Sequence, residues 1–202
     1  MARTTGPRYV ADMLCAYGLT HVFYVPQMLL ETLTALEGRG IRRVMTHGEK
    51  AAAYMADGYA RARRQPGVCM AQHVGASNLA AGLRDAYIAC SPVIALTGGP
   101  APFQRYRHAY QELEDFGQFE QTTKFNAHVD HIRRLPDMLR QAFREATSGS
   151  PGPVHLQIGG HHAECIMVED DLDLLVEPQH LSVPAWRPSA DAGTERCCGS
   201  TS

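Results

Sequence analysis

The sequence lacks a long apolar run and any marked excess of one charge. No stretch of about 18 or more apolar residues occurs, so the sequence predicts no transmembrane helix, and no basic segment followed by an apolar one indicates a signal peptide. The 19 Lys and Arg residues against 21 Asp and Glu residues leave a formal net charge of −2. This slightly negative balance does not indicate binding to nucleic acid or to an anionic membrane. We therefore expect neither nucleic acid nor a membrane as a partner, and a cytoplasmic location.

Several familiar site motifs are also missing. The six cysteines are scattered without a C-x-x-C pair, so a reducing cytoplasm is the default expectation. No G-x-G-x-x-G motif opens a helix after the first predicted strand, and neither a P-loop nor a nucleophile elbow occurs. These absences argue against a dinucleotide-binding domain and a P-loop nucleoside triphosphatase. We also predict no metal site formed by this chain alone.

The chain does contain a regular alternation of short β-rich runs with helical segments. The runs predicted as strands are residues 21–25, 42–45, 68–72, 93–97, 124–129 and 154–158. Apolar residues recur at helical spacing in the segments between most of these runs. Such alternation is typical of a parallel sheet covered on both faces. The sequence therefore predicts an α/β fold with three layers, α/β/α, and a mostly parallel six-stranded sheet.

The length of 202 residues allows one substantial domain and a tail. We assign the domain to residues 1–166. Beyond that point a run of acids and then spaced prolines indicate a linker, and the last residues are small and polar without periodicity, as in a disordered tail. Residues 167–202 are therefore predicted to be linker and disordered tail.

Glu49 is the most informative single residue. It stands where a short apolar strand gives way to an alanine-rich helix, and ligands of open parallel α/β sheets bind at the carboxyl ends of strands. A carboxylate placed there is a candidate for chemistry. The alternative is a first-turn glutamate that complements the helix dipole, worth about 0.3–1 kcal/mol at the surface, because acids are common in first turns. The residue alone leaves both interpretations open.

Four further residues are candidates for a binding site. Gly75 and Asn78 lie where a predicted strand leads into a helix; glycine permits close backbone approach, and asparagine can also simply cap a helix. Pro26 follows the first strand, either as a turn former or as part of a pocket. Gln111 lies in a polar loop in which an ordinary surface glutamine is the competing interpretation.

Several separated segments together resemble a known family. They include Glu49 with the run Met-Ala-Asp-Gly-Tyr-Ala-Arg at 55–61, Gly-Ala-Ser-Asn at 75–78, Gly-Leu-Arg-Asp-Ala-Tyr at 82–87, Tyr-Gln-Glu at 110–112 and Gly-Pro-Val at 152–154. In this order, over roughly residues 4–158, they resemble the pyrimidine-binding domain of thiamine diphosphate enzymes related to acetolactate synthase, pyruvate oxidase and benzoylformate decarboxylase.

The resemblance implies a role for each candidate residue. It implies that the carboxyl group of Glu49 binds a ring nitrogen of the cofactor's aminopyrimidine and so activates thiamine diphosphate. It places Pro26, Gly75, Asn78 and Gln111 around the same cofactor. In the family the diphosphate and its Mg²⁺ are held by a separate domain with a Gly-Asp-Gly…Asn-Asn signature, and this signature is absent here.

Two hypotheses about function follow from the resemblance. The chain is either the pyrimidine-binding domain or subunit of a 2-keto acid decarboxylase or synthase, completed in a homo- or hetero-oligomer by a diphosphate-binding domain, or a truncated, non-catalytic remnant or dimerisation module. Tyr24, Gln27 and His73 depart from the family pattern, which leaves the small 2-keto acid substrate open. An FAD site is possible in a parent enzyme, but nothing in this sequence supports one.

Overall fold

A computed structural model describes residues 2–26, 29–112, 116–160 and 162–183. The strands are β1 (Ala2–Thr5), β2 (His21–Tyr24), β3 (Arg42–Met45), β4 (Gly67–Ala71), β5 (Val93–Gly99), β6 (Phe125–Val129), β7 (Val154–Gly159) and β8 (Glu169–Leu172). The helices are α1 (Gly6–Ala16), α2 (Leu30–Ala35), α3 (Glu49–Arg63), α4 (Ala76–Ile88) and α5 (Leu135–Thr147). No helix in these ranges is long and apolar enough to span a bilayer.

The main sheet has six strands in the order β3-β2-β4-β5-β7-β6. Every neighbouring pair runs parallel, as expected where helices connect successive strands. All six strands predicted from the sequence are present, so the prediction of a six-stranded parallel sheet is confirmed. The carboxyl ends of these strands share one edge of the sheet, which is the edge where ligands bind in such folds.

Alternation along the central strands divides the core between two faces. On β4, Val68 and Met70 join the cluster that contains α1, α2 and α5, whereas Cys69 and Ala71 join the cluster that contains α3 and α4. Successive side chains of a strand point to opposite faces, so a continuously apolar strand supplies both layers. Helices therefore cover both faces, and the predicted three-layer architecture is confirmed.

A second, two-stranded sheet ties the beginning of the described chain to its later part. β1 pairs antiparallel with β8, which lies in the segment that the sequence predicts to be linker. Further along, Tyr9 donates a hydrogen bond from its hydroxyl to the carbonyl of Asp173 at 2.7 Å, and Arg144 makes two bonds to the Glu177 carboxylate. The last described residue, Val183, still donates a backbone hydrogen bond to the carbonyl of Arg64 at 2.9 Å. The boundary at residue 166 stays a prediction, and the predicted disordered tail lies outside the described residues.

His155 of β7 is fully buried and lies at the centre of a polar cluster. Its Nε2 atom is 2.7 Å from the Thr97 hydroxyl, its Nδ1 atom is 2.6 Å from the Asn126 side-chain oxygen, and its ring stacks on Phe119 with 3.5 Å between centroids. Burial, with a smaller contribution from His128, holds the pKa of His155 well below its ordinary value. The folded protein therefore keeps this imidazole neutral while the unfolded chain can protonate it.

This difference predicts acid-sensitive stability. Above about pH 6.5, the ordinary histidine value, His155 is neutral in both states. As the pH falls below that value only the unfolded chain takes up the proton, so the free energy of unfolding decreases by up to about 1.4 kcal/mol per pH unit until the pKa of the folded state is reached. Urea unfolding between pH 7.5 and 5 measures this slope. We expect a smaller slope in His155→Gln and an unchanged one in the exposed control His47→Gln; equal slopes in wild type and His155→Gln would contradict the prediction.

Candidate functional site

Three of the residues singled out in the sequence meet at the carboxyl edge of the sheet. Glu49 is the first residue of α3 and follows β3 by a short turn. Gly75 immediately precedes α4, and Asn78 lies in the first turn of that helix. The Nδ2 atom of Asn78 donates a hydrogen bond to the Oε2 atom of Glu49 at 3.2 Å. Residues 29 positions apart in the chain therefore form one polar group.

Two glycines make this approach possible. A Cβ atom added to Gly75 would lie 2.5 Å from Oε1 of Glu49 and 2.7 Å from its Cδ, so the carboxyl group occupies the space that a side chain would fill. Farther along α4, a Cβ atom on Gly82 would lie 2.7 Å from Cβ of Ala53 and 2.8 Å from the Lys50 carbonyl oxygen. The helices α3 and α4 thus pack closely enough for the carboxylate and the amide to reach each other.

The local structure shows which contacts Glu49 and Asn78 make at the starts of α3 and α4. Glu49 does occupy the first turn of α3, where the helix dipole favours its negative charge. Its contacts with Gly75 and Asn78 go beyond that role. Asn78 donates across to the neighbouring helix, and the N-cap of α4 is Gly75, without a side-chain cap bond. The simple capping interpretation of Asn78 therefore does not describe its contact.

Pro26 and Gln111 lie at other points along the strand ends. Pro26 follows the end of β2 and is exposed. Gln111 belongs to the long segment after β5, where its Nε2 atom donates to the Tyr110 hydroxyl at 3.1 Å. Within the part of the chain that the structure describes, no hydrogen bond joins Pro26 or Gln111 to Glu49 or Asn78. The place of both residues around a shared ligand therefore stays a prediction.

Two features of this edge were not predicted from the sequence. His73 is buried at the end of β4 and lines a small cavity, although the sequence marks it only as a departure from the family pattern. Glu112 binds backbone N–H groups of its own loop. An acid in a loop rich in polar residues is a weak signal for such a role, because the contact depends on a backbone conformation that the sequence does not reveal.

The arrangement suits a ring nitrogen as ligand. The carboxyl group of Glu49 is partly exposed, held by an amide on one side and placed against a glycine on the other. A carboxyl group can accept a hydrogen bond from a ring N–H or donate one to a bare ring nitrogen. Among the residues that the structure describes, no group of three or more His, Cys, Asp or Glu side chains could hold a metal ion.

The parallel sheet and the carboxylate at its carboxyl edge define an α/β domain of the small-ligand-binding class. Comparison with known proteins specifies the family, because residues 4–119 match the family described as "Thiamine pyrophosphate enzyme, N-terminal TPP binding domain". The chain belongs to this family. The match spans Glu49, Gly75 and Asn78, and it confirms the family resemblance predicted from the sequence.

Similar proteins include large subunits of acetolactate synthases. The chain is 34% identical over 185 residues to a probable acetolactate synthase large subunit of Methanocaldococcus jannaschii, a match covering 91% of this chain and 31% of that protein. It is 35% and 38% identical to the isozyme 1 and isozyme 2 large subunits of Escherichia coli, over 77% and 76% of this chain and 28% of each relative. The chain therefore spans less than a third of the length of these relatives.

Proposed function

We propose that this chain supplies the pyrimidine-binding part of a thiamine diphosphate-dependent decarboxylase or synthase that acts on a small 2-keto acid. One observation carries the proposal: the carboxyl group of Glu49 lies against Gly75 and accepts a hydrogen bond from Asn78 at the ligand-binding edge of the sheet. Membership of the thiamine pyrophosphate enzyme family implies the cofactor. The substrate class is suggested by the relatives, which are named acetolactate synthases.

Each residue of the site has a defined task in this proposal. When bound, thiamine diphosphate supplies a nucleophilic thiazolium carbon, and the protein supplies position and proton handling. Glu49 holds a proton at a ring nitrogen of the aminopyrimidine. Asn78 fixes the orientation of that carboxyl group, and Gly75 leaves room for it to lie close to the backbone. Pro26 and Gln111 are proposed to border the same cofactor.

A second domain is needed to hold the diphosphate. Mg²⁺ with a diphosphate requires several oxygen ligands in octahedral geometry, and the described part of this chain offers no such group. On α3 and α4, the helices that carry Glu49 and Asn78, the apolar side chains of Tyr54, Met55 and Ile88 are exposed. Exposed apolar side chains are candidates for an interface with another protein. We propose a diphosphate-binding domain or subunit of the same family as the partner, in a homo- or hetero-oligomer.

Partner-dependent cofactor binding tests the proposal. The chain is titrated with thiamine diphosphate and Mg²⁺ by calorimetry, alone and mixed with a separately produced diphosphate-binding domain of an acetolactate synthase. We expect weak or no binding alone and clear binding in the mixture, together with decarboxylation of 2-keto acids. Tight binding by the chain alone would contradict the need for a partner. A mixture that forms a complex but binds no cofactor would contradict the proposed function.

A further inference from the structure

The loop that follows β5 has an unusual backbone. Between Pro102 and Glu112 three residues with side chains have positive φ angles, namely Tyr106 at 63°, His108 at 53° and Gln111 at 59°. Such conformations are uncommon in residues other than glycine, and they persist only where the surroundings determine them. Some interaction must therefore hold this segment in its bent form.

The side chain of Glu112 provides that interaction. Its carboxylate accepts hydrogen bonds from the backbone N–H of Ala109 at 2.8 Å and from that of Tyr106. Backbone N–H groups, that of Ala109 first, hold the pKa of the Glu112 carboxyl group below its ordinary value. Charge-assisted hydrogen bonds of this kind are about twice as strong as neutral ones. One carboxylate thus connects the end of the bent segment to its middle.

The segment forms one wall of a cavity at the ligand-binding edge. The cavity has a volume of about 110 Å³ and is lined by His73, Gly99, Pro100, Gln104, Ala109 and Tyr110. The loop contributes three of these residues, and one of them, Ala109, is held directly by Glu112. This volume is well below the roughly 300–1,000 Å³ of typical ligand pockets, so the cavity has room only for a small molecule.

We infer that Glu112 is a positioning residue, whose carboxylate holds the segment from Tyr106 to Gln111 as one wall of the small cavity at the ligand-binding edge. The inference that the segment is held by Glu112 stands independently of the reaction. The identity of the ligand as a small 2-keto acid rests on the proposed function.

Amide hydrogen exchange of the full chain, measured by NMR at neutral pH, tests the first part. In Glu112→Ala we expect the amides of Tyr106 and Ala109 to exchange at least about tenfold faster than in wild type. Glu112→Gln keeps an acceptor of the same reach without the charge and should restore part of the protection. Glu120→Ala, which removes an exposed glutamate from the neighbouring segment, should leave these amides unchanged. Unchanged exchange in Glu112→Ala would overturn the inference.

Kinetics of the chain mixed with the diphosphate-binding domain test the second part. We expect Glu112→Ala to raise the KM for pyruvate about tenfold, to lower kcat less, and Glu112→Gln to recover part of the loss. Faster exchange with an unchanged KM would contradict the assignment of this cavity as the substrate pocket. Glu112 would then only hold the loop. If the wild-type mixture has no activity, the proposed function fails, whereas the exchange result still decides whether Glu112 holds the loop.

Discussion

Replacing Glu49 by glutamine is expected to lower the thiamine diphosphate-dependent activity of the chain and its diphosphate-binding partner by about 10²- to 10⁴-fold, the usual contribution of a positioned acid–base group. Glutamine has nearly the same shape, and its amide oxygen can still accept the hydrogen bond from Asn78. It cannot, however, hold a transferable proton at the ligand's ring nitrogen. The change therefore removes the proton-handling group while leaving the contacts of the site in place.

The measurement is steady-state decarboxylation of a 2-keto acid by the mixture, with kcat and KM determined separately. Glu120→Gln serves as the matched control, because it makes the same chemical change at an exposed glutamate away from α3. Urea unfolding of each variant shows whether the fold is retained. An unchanged rate in Glu49→Gln would show that this carboxyl group is not catalytic and that it contributes only to the start of α3.

Replacing Gly75 by alanine is expected to have the second large effect. This variant distinguishes a change in the geometry of the site from a change in the free energy of unfolding. The φ and ψ angles of Gly75, −69° and −12°, are helical, so alanine can adopt this backbone without strain. The added Cβ atom would nevertheless lie 2.5 Å from Oε1 and 2.6 Å from Cγ of Glu49. The Glu49 side chain must therefore rotate away as a whole. Because this side chain is flexible and partly exposed, and because replacing glycine by alanine at a compatible backbone position is itself slightly stabilising, we expect the free energy of unfolding to change by no more than about 1 kcal/mol.

Activity is expected to fall much more than stability in Gly75→Ala. A displacement of about 1 Å in a reacting group can cost about 100-fold in rate, and the methyl group forces a shift of this order. Gly117→Ala is the control, since a Cβ atom there would meet nothing within 4 Å. Full activity in Gly75→Ala would mean that the close packing of the carboxyl group against residue 75 has no role in catalysis. A large loss of stability would show that the clash is relieved through the backbone instead.

The main sheet could be predicted from the sequence because its strands are short apolar runs separated by helical segments. Residues 68–71 and 93–97 are buried on both sides of the sheet, and most of them are apolar, which gives a nearly continuous apolar signal. The small sheet of β1 and β8 was missed. Its strand Glu169–Leu172 is mostly acidic, and its stability comes from pairing with a segment more than 160 residues away, a contact that local pattern does not reveal.

The candidate site was predictable to a different degree at each residue. Position at a strand end made Glu49 a candidate, and the family resemblance linked it to Gly75 and Asn78. The structure then added the contacts themselves, because the distance between α3 and α4 depends on tertiary packing. Glu112 could not be found from the sequence, since its role arises from positive φ angles at residues with side chains, which no propensity predicts.

The close contact at Gly82 has a further consequence for how such a protein can change over evolution. Gly82 lies farther along α4 than Asn78, and its missing side chain allows α4 to approach Ala53 on α3. A substitution that kept polarity and helix propensity but added volume there would separate Glu49 from Asn78. The contact between Glu49 and Asn78 would then be lost because of a larger side chain elsewhere in α4. If the proposed reaction is under selection, a small residue is therefore required at position 82.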